Sequence, residues 1–246
     1  MLSERLDTRK KFEPSLRFSN LGESCGRKLW YSLNTPSDAA RLPPSAKMKF
    51  LFGDILEHLL LYLSVEAGHT VEGMQSELYI DGIRGRRDAV IDGMLVDVKS
   101  ASSYSYQKFK NGLKKEEDDF GYLVQLGAYL HASQDDPLVT IKDKAAFLVI
   151  DKQLGHICLD VHNRSNLDYE TLVKTKKELV SQKETPQRAF TDEPDGKSGN
   201  MKLPMKCSYC DFKEKCWPNL RTFVYSNGPR FLTRVERLPD VPEAKG

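Results

Sequence analysis

Two Asp-Gly dipeptides, Asp81-Gly82 and Asp92-Gly93, sit inside an alternating apolar stretch over residues 69–99 and constrain this chain more than any other feature. An Asp-Gly pair supplies the two positive-φ residues that a tight two-residue hairpin needs. The pattern predicts a meander of three antiparallel strands. A two-residue loop at Asp92-Gly93 makes Ile91 and Met94 partners, and stepping outward brings Asp88 opposite Asp97, with Cβ atoms about 4.5–5.5 Å apart. Lys99 shares the face of Asp97 because strand side chains alternate.

Directly opposed carboxylates repel one another. A divalent cation removes that penalty, and a site built from oxygens suits Mg2+ or Mn2+ with waters and phosphate oxygens completing the shell. Lys99 would add a fixed positive charge beside an attacking water or a scissile phosphate. On the hairpin alone a second reading stands equally well, in which the turn is longer and both aspartates face solvent.

Around the meander the periodicity alternates between helix and strand. A helix is predicted over about Met48–Ala67, with Leu51, Ile55, Leu59 and Tyr62 or Leu63 as its buried stripe. A second follows over about Phe120–Ala132, then a hairpin in residues 145–161 turning between Asp151 and Gly155, then a charged helix over about Leu167–Glu184. A short helix is expected near Cys25–Leu33, and the proline- and glycine-rich residues 185–204 read as a surface connection. The order predicts a mixed α/β core over residues 46–184, with an N-terminal segment, 1–45, and a C-terminal segment, 185–246.

Hydrophobic residues are 39% and charged residues 29% of the 246, which fits a globular chain and excludes a disordered or fibrous one. No run approaches the roughly 18 apolar residues of a membrane span, and the N-terminus lacks the apolar region of a signal peptide, so no membrane partner and a cytoplasmic location are expected. The net charge of +2 points to no polyanionic partner by itself. Local clusters do more: Arg9, Lys10 and Lys11; Arg84, Arg86 and Arg87; and Lys108, Lys110, Lys114 and Lys115, interleaved with Tyr104, Tyr106 and Phe109. Aromatic and basic residues so mixed suit a single-stranded nucleic acid, with the acidic run Glu116–Asp119 marking where its path ends. A solvated face is the plainer reading of each cluster.

The run GRRDAVIDGMLVDVKS resembles the D-x(n)-(D/E)-x-K signature of PD-(D/E)XK nucleases, with Asp88, Asp97 and Lys99 in its three positions. Upstream, GDILEH resembles the glycine-x-x-x-acid-or-histidine motif of RecB-like and phage recombination exonucleases. Many members carry histidine at the last step; here Glu57 stands there and His58 follows it. Adjacent helical residues diverge by about 100°, so only one can face the site, and Glu57 is the expected ligand. Downstream, YLVQLGAYL is similar to the Q-x-x-x-Y motif of the RecB-like branch, through Gln125 and Tyr129, which share a helix face. The resemblance implies a restriction-endonuclease-like core, a mixed sheet flanked by helices. It also implies Glu57, Asp88, Asp97 and the Val98 carbonyl as ligands of Mg2+ or Mn2+, with Gln125 and Tyr129 supporting the site.

Cys207, Cys210 and Cys216 form C-x2-C-x5-C, and Cys25 stands far upstream in ESCGRKLWY. In an intracellular chain such spacing points to metal and not to disulfides. By spacing alone a structural Zn2+ and an iron-sulfur cluster are both open. One cysteine before the core and three after it resemble the iron-sulfur staple of AddB-type subunits and of CRISPR-associated RecB-like exonucleases, which implies a [4Fe-4S] cluster joining the two terminal segments. Cys158, in an apolar strand, reads as an ordinary thiol.

The chain has no phosphate-binding P-loop, hence no motor of its own. The expected function is a metal-dependent DNA exonuclease acting on single strands or free ends, in recombination, end processing or phage DNA metabolism, with protein partners in a recombination or replication complex. A phage-encoded enzyme would act in the host cytoplasm. Two alternatives are a CRISPR-associated nuclease trimming spacer precursors and a non-catalytic DNA-binding protein on a nuclease-like fold.

Overall fold

The computed structural model describes residues 14–41 and 44–244. The cluster Arg9, Lys10 and Lys11 lies outside them. The chain is a mixed α/β protein with a central mixed sheet flanked by helices. That sheet has five strands in the order β1 (Val71–Glu72), β4 (Ala89–Ile91), β5 (Met94–Ala101), β6 (Lys144–Asp151) and β7 (Ile157–Asn163). β5 and β6 run parallel, and the other neighbours are antiparallel. A parallel pair needs a long crossover. Here it carries helices α4 (Ser103–Lys110) and α5 (Tyr122–Ala132).

The meander is corrected in one respect. Both Asp-Gly turns form as expected, with positive φ at Asp81, Gly82, Asp92 and Gly93. The first, however, closes a separate hairpin of β2 (Glu77–Ile80) and β3 (Ile83–Arg86), whereas the second joins β4 to β5. The break falls at Arg87, whose amide bonds the Ser76 carbonyl and whose buried guanidinium donates to the Gly73 carbonyl (3.1 Å) and to Asp136 (2.6 Å). A Cβ on Gly73 would lie 2.4 Å from that guanidinium, so the glycine makes room for it. The expected basic cluster therefore loses Arg87 to the interior, while Arg84 pairs with Glu77 at 2.8 Å.

Helix α3 (Pro44–Glu66) covers one face of the sheet, but not with the predicted stripe. Leu56, Leu60 and Leu61 pack against Ala89, Val96, Val98, Ala146 and Ile150, while Ile55, Leu59, Tyr62 and Leu63 are exposed. Apolar residues occur on nearly every side of this helix, so periodicity could not select the face; packing selects the one that also carries Gly53 and Glu57. The opposite face of the sheet is the main core, where Leu95, Ala101, Phe147 and Val149 meet α4 and α5.

The remaining helices join the chain's ends to this core. In α1 (Phe18–Leu21), Phe18 and Leu21 are fully buried, and Phe18 stands 5.4 Å from the Tyr129 ring. Helix α2 (Gly26–Asn34) begins at Cys25, whose sulfur accepts from the Lys28 amide, and α6 (Tyr169–Ser181) is capped by Asp168. Trp30 bonds the Gln182 carbonyl at 2.8 Å and thereby ties α2 to the end of α6. Residues 185–204 are not wholly irregular. β8 (Glu193–Pro194) and β9 (Met201–Lys202) join the hairpin β10 (Arg221–Tyr225) and β11 (Gly228–Arg234) in a four-stranded sheet that sequence reasoning did not foresee. Among the described residues no helix is long and apolar enough to cross a membrane.

Candidate active site

The Asp92-Gly93 hairpin delivers the expected register, with Ile91 opposite Met94 and Ala89 opposite Val96. One step beyond the last pair, Asp88 turns its carboxylate inward and accepts the Val98 amide at 2.7 Å. Asp97 is buried and pairs with the Lys99 ammonium. Glu57 reaches the same place from α3, near enough for its charge to act on Asp88. His58 lies on the outer side, its ring against the Asp54 carbonyl at 2.7 Å.

The electrostatics follow from this crowding. Burial, then the charges of Asp97 and Glu57, push the Asp88 carboxyl up to about 8, against the opposing pull of Lys99 and the Val98 amide. Burial would lower the Lys99 pKa, but Asp97 and Asp88 outweigh it and hold the ammonium above the ordinary lysine range. Lys99 also lies 4.8 Å over the Tyr122 ring. From α5, Gln125 donates to the Tyr129 hydroxyl at 3.1 Å, and burial and the nearby Asp97 push that phenol up to about 12. The structure thus gathers Glu57, Asp88, Asp97, Lys99 and Tyr129, with Gln125 one hydrogen bond behind.

Gln75 belongs to this group and was missed. Its side chain donates to Glu57 at 2.5 Å and its amide to the Asp88 carbonyl at 3.1 Å, so it ties α3 to the aspartate strand. It does so from a left-handed backbone (φ 57°), an uncommon conformation for a residue other than glycine. Nothing in the sequence around Gly73 and Gln75 signals this role.

Asp88, with Asp97 and Glu57 close enough for their charges to act on it, belongs to a donor set of hard oxygens, the kind a small divalent cation neutralises. Among the described residues no group of three or more His, Cys, Asp or Glu side chains is arranged so that it could hold a metal ion.

Cys25 lies at the start of α2, Cys207 in α7 (Met205–Ser208) and Cys216 in α8 (Lys213–Cys216), with Cys210 between those two short helices. Burial, and then Cys210, Cys25 and Cys216, push the Cys207 thiol up to about 11, so the other three sulfurs lie within electrostatic reach of Cys207. Arg27 approaches the Cys216 sulfur at 3.8 Å, and Ala40 bonds the Asp211 carbonyl at 2.8 Å. A donor set of four half-buried thiols suits a thiophilic metal or cluster. Cys158 stands apart on β7.

The expected stacking of Tyr106 and Phe109 on a strand is corrected. Residues 103–110 are helical, and Tyr106 and Phe109 are buried in the core, leaving Tyr104 exposed. Positions three apart on a helix share a face, so the same aromatic spacing that suggested stacking instead anchors α4.

No protein-family model matches the chain, and no curated protein sequence matches it. Similar solved structures include the protein SSO0001, at 20% identity over 87% of this chain and 93% of that one, TM-score 0.49. A phage-related exonuclease from Haemophilus somnus has 17% identity over 69% of this chain and 92% of that one, TM-score 0.46. An alkaline exonuclease from Laribacter hongkongensis has 16% identity over 69% of this chain and 85% of that one, TM-score 0.44. These are similarities of backbone arrangement and transfer no residue role.

Proposed function

We propose that this chain is a metal-dependent DNA exonuclease of the PD-(D/E)XK, RecB-like class, which hydrolyses phosphodiester bonds at Asp88, Asp97, Glu57 and Lys99. The observation that carries the proposal is the half-buried Asp88 beside the buried Asp97 and within reach of Glu57's charge, an arrangement in which carboxylates repel one another until a divalent cation joins them. Mg2+ or Mn2+, held by these carboxylates and the Val98 carbonyl, would supply a Lewis acid and a more acidic water.

The chain's own groups account for the rest. Water oxygen forms a bond to phosphorus while the bridging phosphorus–oxygen bond breaks, and the departing oxygen takes up a proton to leave one alcohol and one phosphate monoester. Lys99, kept protonated by Asp97 and Asp88, acts as a fixed cation facing the developing phosphorane charge and not as a base. Tyr129, whose phenol keeps its proton, is a hydrogen-bond donor to the substrate backbone, and Gln125 orients it. Gln75 holds Glu57 toward Asp88.

For the thiols we propose a [4Fe-4S] cluster on Cys25, Cys207, Cys210 and Cys216, with structural Zn2+ as the alternative. Its role is that of a staple, closing a loop of about 180 residues between the ends of the core, where long closures contribute most in the chain-entropy account. The test of the activity is digestion of single- and double-stranded DNA, linear and circular, with Mg2+, Mn2+ or EDTA. Loss of linear DNA with either metal, none in EDTA and intact circles are expected; no loss with any metal overturns the proposal.

A further inference from the structure

Helix α3 leaves uncovered an apolar stripe that its own sequence marks out. Met48, Phe52, Ile55, Leu59 and Tyr62 are each between 42% and 58% exposed, and they recur at alternating spacings of four and three residues. That is the heptad spacing of a helix seam, which keeps a nearly straight line along the helix so that a second helix can lie against it. At about 100° per residue the five side chains leave the helix within an arc about 80° wide. Leu60 and Leu61, which meet the sheet, lie on the other side, and Glu57 is about 180° round the helix from Met48. The helix is thus apolar toward the sheet and apolar away from it. A helix of that kind is ordinarily covered on both sides, and a contiguous exposed apolar patch marks an interaction surface.

The charges at the two ends of α3 narrow the choice of partner. Lys47 and Lys49 stand exposed in its first two turns, and Glu66 stands exposed at its last residue. Both signs sit at the wrong ends for the helix itself, whose macrodipole favours acids at the N-terminus and bases at the C-terminus. A second copy of α3 laid antiparallel along the seam resolves the conflict. With Ile55 opposite Leu59 of the second copy, Phe52 falls opposite its Tyr62 and Met48 opposite its Glu66, and Lys47 and Lys49 flank that carboxylate. Two-fold symmetry repeats each contact at the other end, so a single register closes the apolar seam and pairs both charged ends. A parallel pair would set lysine against lysine and glutamate against glutamate.

We infer that the exposed stripe of α3 is a self-association surface, on which a second copy of this chain docks antiparallel about a two-fold axis. The stripe supplies the apolar core of the contact, and Lys47, Lys49 and Glu66 set its direction. Each copy's Glu57 faces its own sheet, away from the seam, so the pair carries two candidate sites turned apart. The inference is independent of the nuclease reading.

Sedimentation velocity of the full chain over a concentration series tests it, beside variants whose circular dichroism matches the wild type. The wild type should sediment as two copies. Leu59→Asp places a carboxylate in the seam at a residue that is exposed in the single chain, so it should keep the fold and raise the dissociation constant more than about 100-fold. Phe50→Asp alters a ring that is also exposed but lies off the seam, and it should leave the mass unchanged. A surface that is merely sticky would respond to both. Glu66→Lys should weaken pairing about tenfold, and Lys47→Glu/Lys49→Glu/Glu66→Lys, which exchanges the two ends, should restore it. A wild type that stays a single chain at every concentration overturns the inference, even where the stripe takes up lipid vesicles or another protein. Association that Phe50→Asp disrupts as much as Leu59→Asp does, or a threefold variant that fails to recover what Glu66→Lys loses, overturns it as well.

Discussion

Replacing Asp88 by Asn should stabilise the metal-free protein while abolishing its response to metal. The amide keeps an oxygen for the Val98 N–H and removes one charge from a half-buried group in which Asp97 and Glu57 act on it. Two carboxylates about 5 Å apart repel by about 3 kcal/mol at an effective dielectric constant of about 20. For a chain of this length that corresponds to a rise in Tm of about 6–12 °C. The effect depends on pH with a definite sign. Asp88 titrates near 8 when folded and near 4 when unfolded. Between those values the folded state holds a proton that the unfolded state has released, so the stability of the metal-free wild type falls as pH rises through that window and levels off above it. Asp88→Asn lacks this slope, and its advantage should be small near pH 4 and complete near pH 9. Mg2+ at about 100 times its Kd should add about 2.7 kcal/mol to the wild type and little to the variant. Thermal unfolding followed by circular dichroism, in EDTA and in Mg2+ across this pH range, reads all of it. A variant no more stable than the wild type in EDTA near pH 9, or one with the same Mg2+-dependent shift, would refute the reasoning.

Other expectations follow from neighbouring features. Arg87→Met should destabilise the fold by about 3–5 kcal/mol in chemical denaturation, because it strands Asp136 and the Gly73 carbonyl. Tyr106→Ala should lower stability by about 3–5 kcal/mol as a buried aromatic, whereas Tyr104→Ala should change it by less than about 0.5 kcal/mol. Gln75→Ala should reduce Mg2+ affinity about 10–100-fold by calorimetry, since it leaves Glu57 unoriented. Cys216→Ser should lose the broad visible absorption of an iron-sulfur cluster and melt earlier, and hydrolysis by its folded fraction should still require Mg2+ or Mn2+. Colourless protein with stoichiometric zinc from anaerobic preparation would instead favour the zinc staple.

The legible parts of this molecule are those that local backbone chemistry dictates. Asp92-Gly93 fixed a register, and the register alone brought Asp88 to Asp97 and Lys99 to the same side. Hairpin β6–β7 and helix α6 could be read because their turn and cap residues agree with their periodicity. The illegible parts depend on long-range packing. Helix α3 is apolar on almost every side, so only the sheet beneath it decides that Leu60 and Leu61 go in and Tyr62 stays out. Gln75 enters the site through a left-handed backbone that no neighbouring residue announces. Tyr106 and Phe109 carry the same letters whether they stack on bases or fill a core, and helix α4 turns them inward. In the C-terminal sheet, β9 pairs with β11 some 30 residues away, and neither strand alternates cleanly enough to be read alone.

The central claim is that the Asp88–Asp97–Lys99 group hydrolyses phosphodiesters with a divalent cation. The most direct measurement is release of label from end-labelled single-stranded DNA by the wild type and by Asp97→Ala, prepared side by side and shown by circular dichroism to be equally folded, with Mg2+, Mn2+ and EDTA. The account predicts release by the wild type with either metal, none in EDTA and none from Asp97→Ala under any condition. Full activity in Asp97→Ala, or wild-type activity undiminished by EDTA, would contradict it.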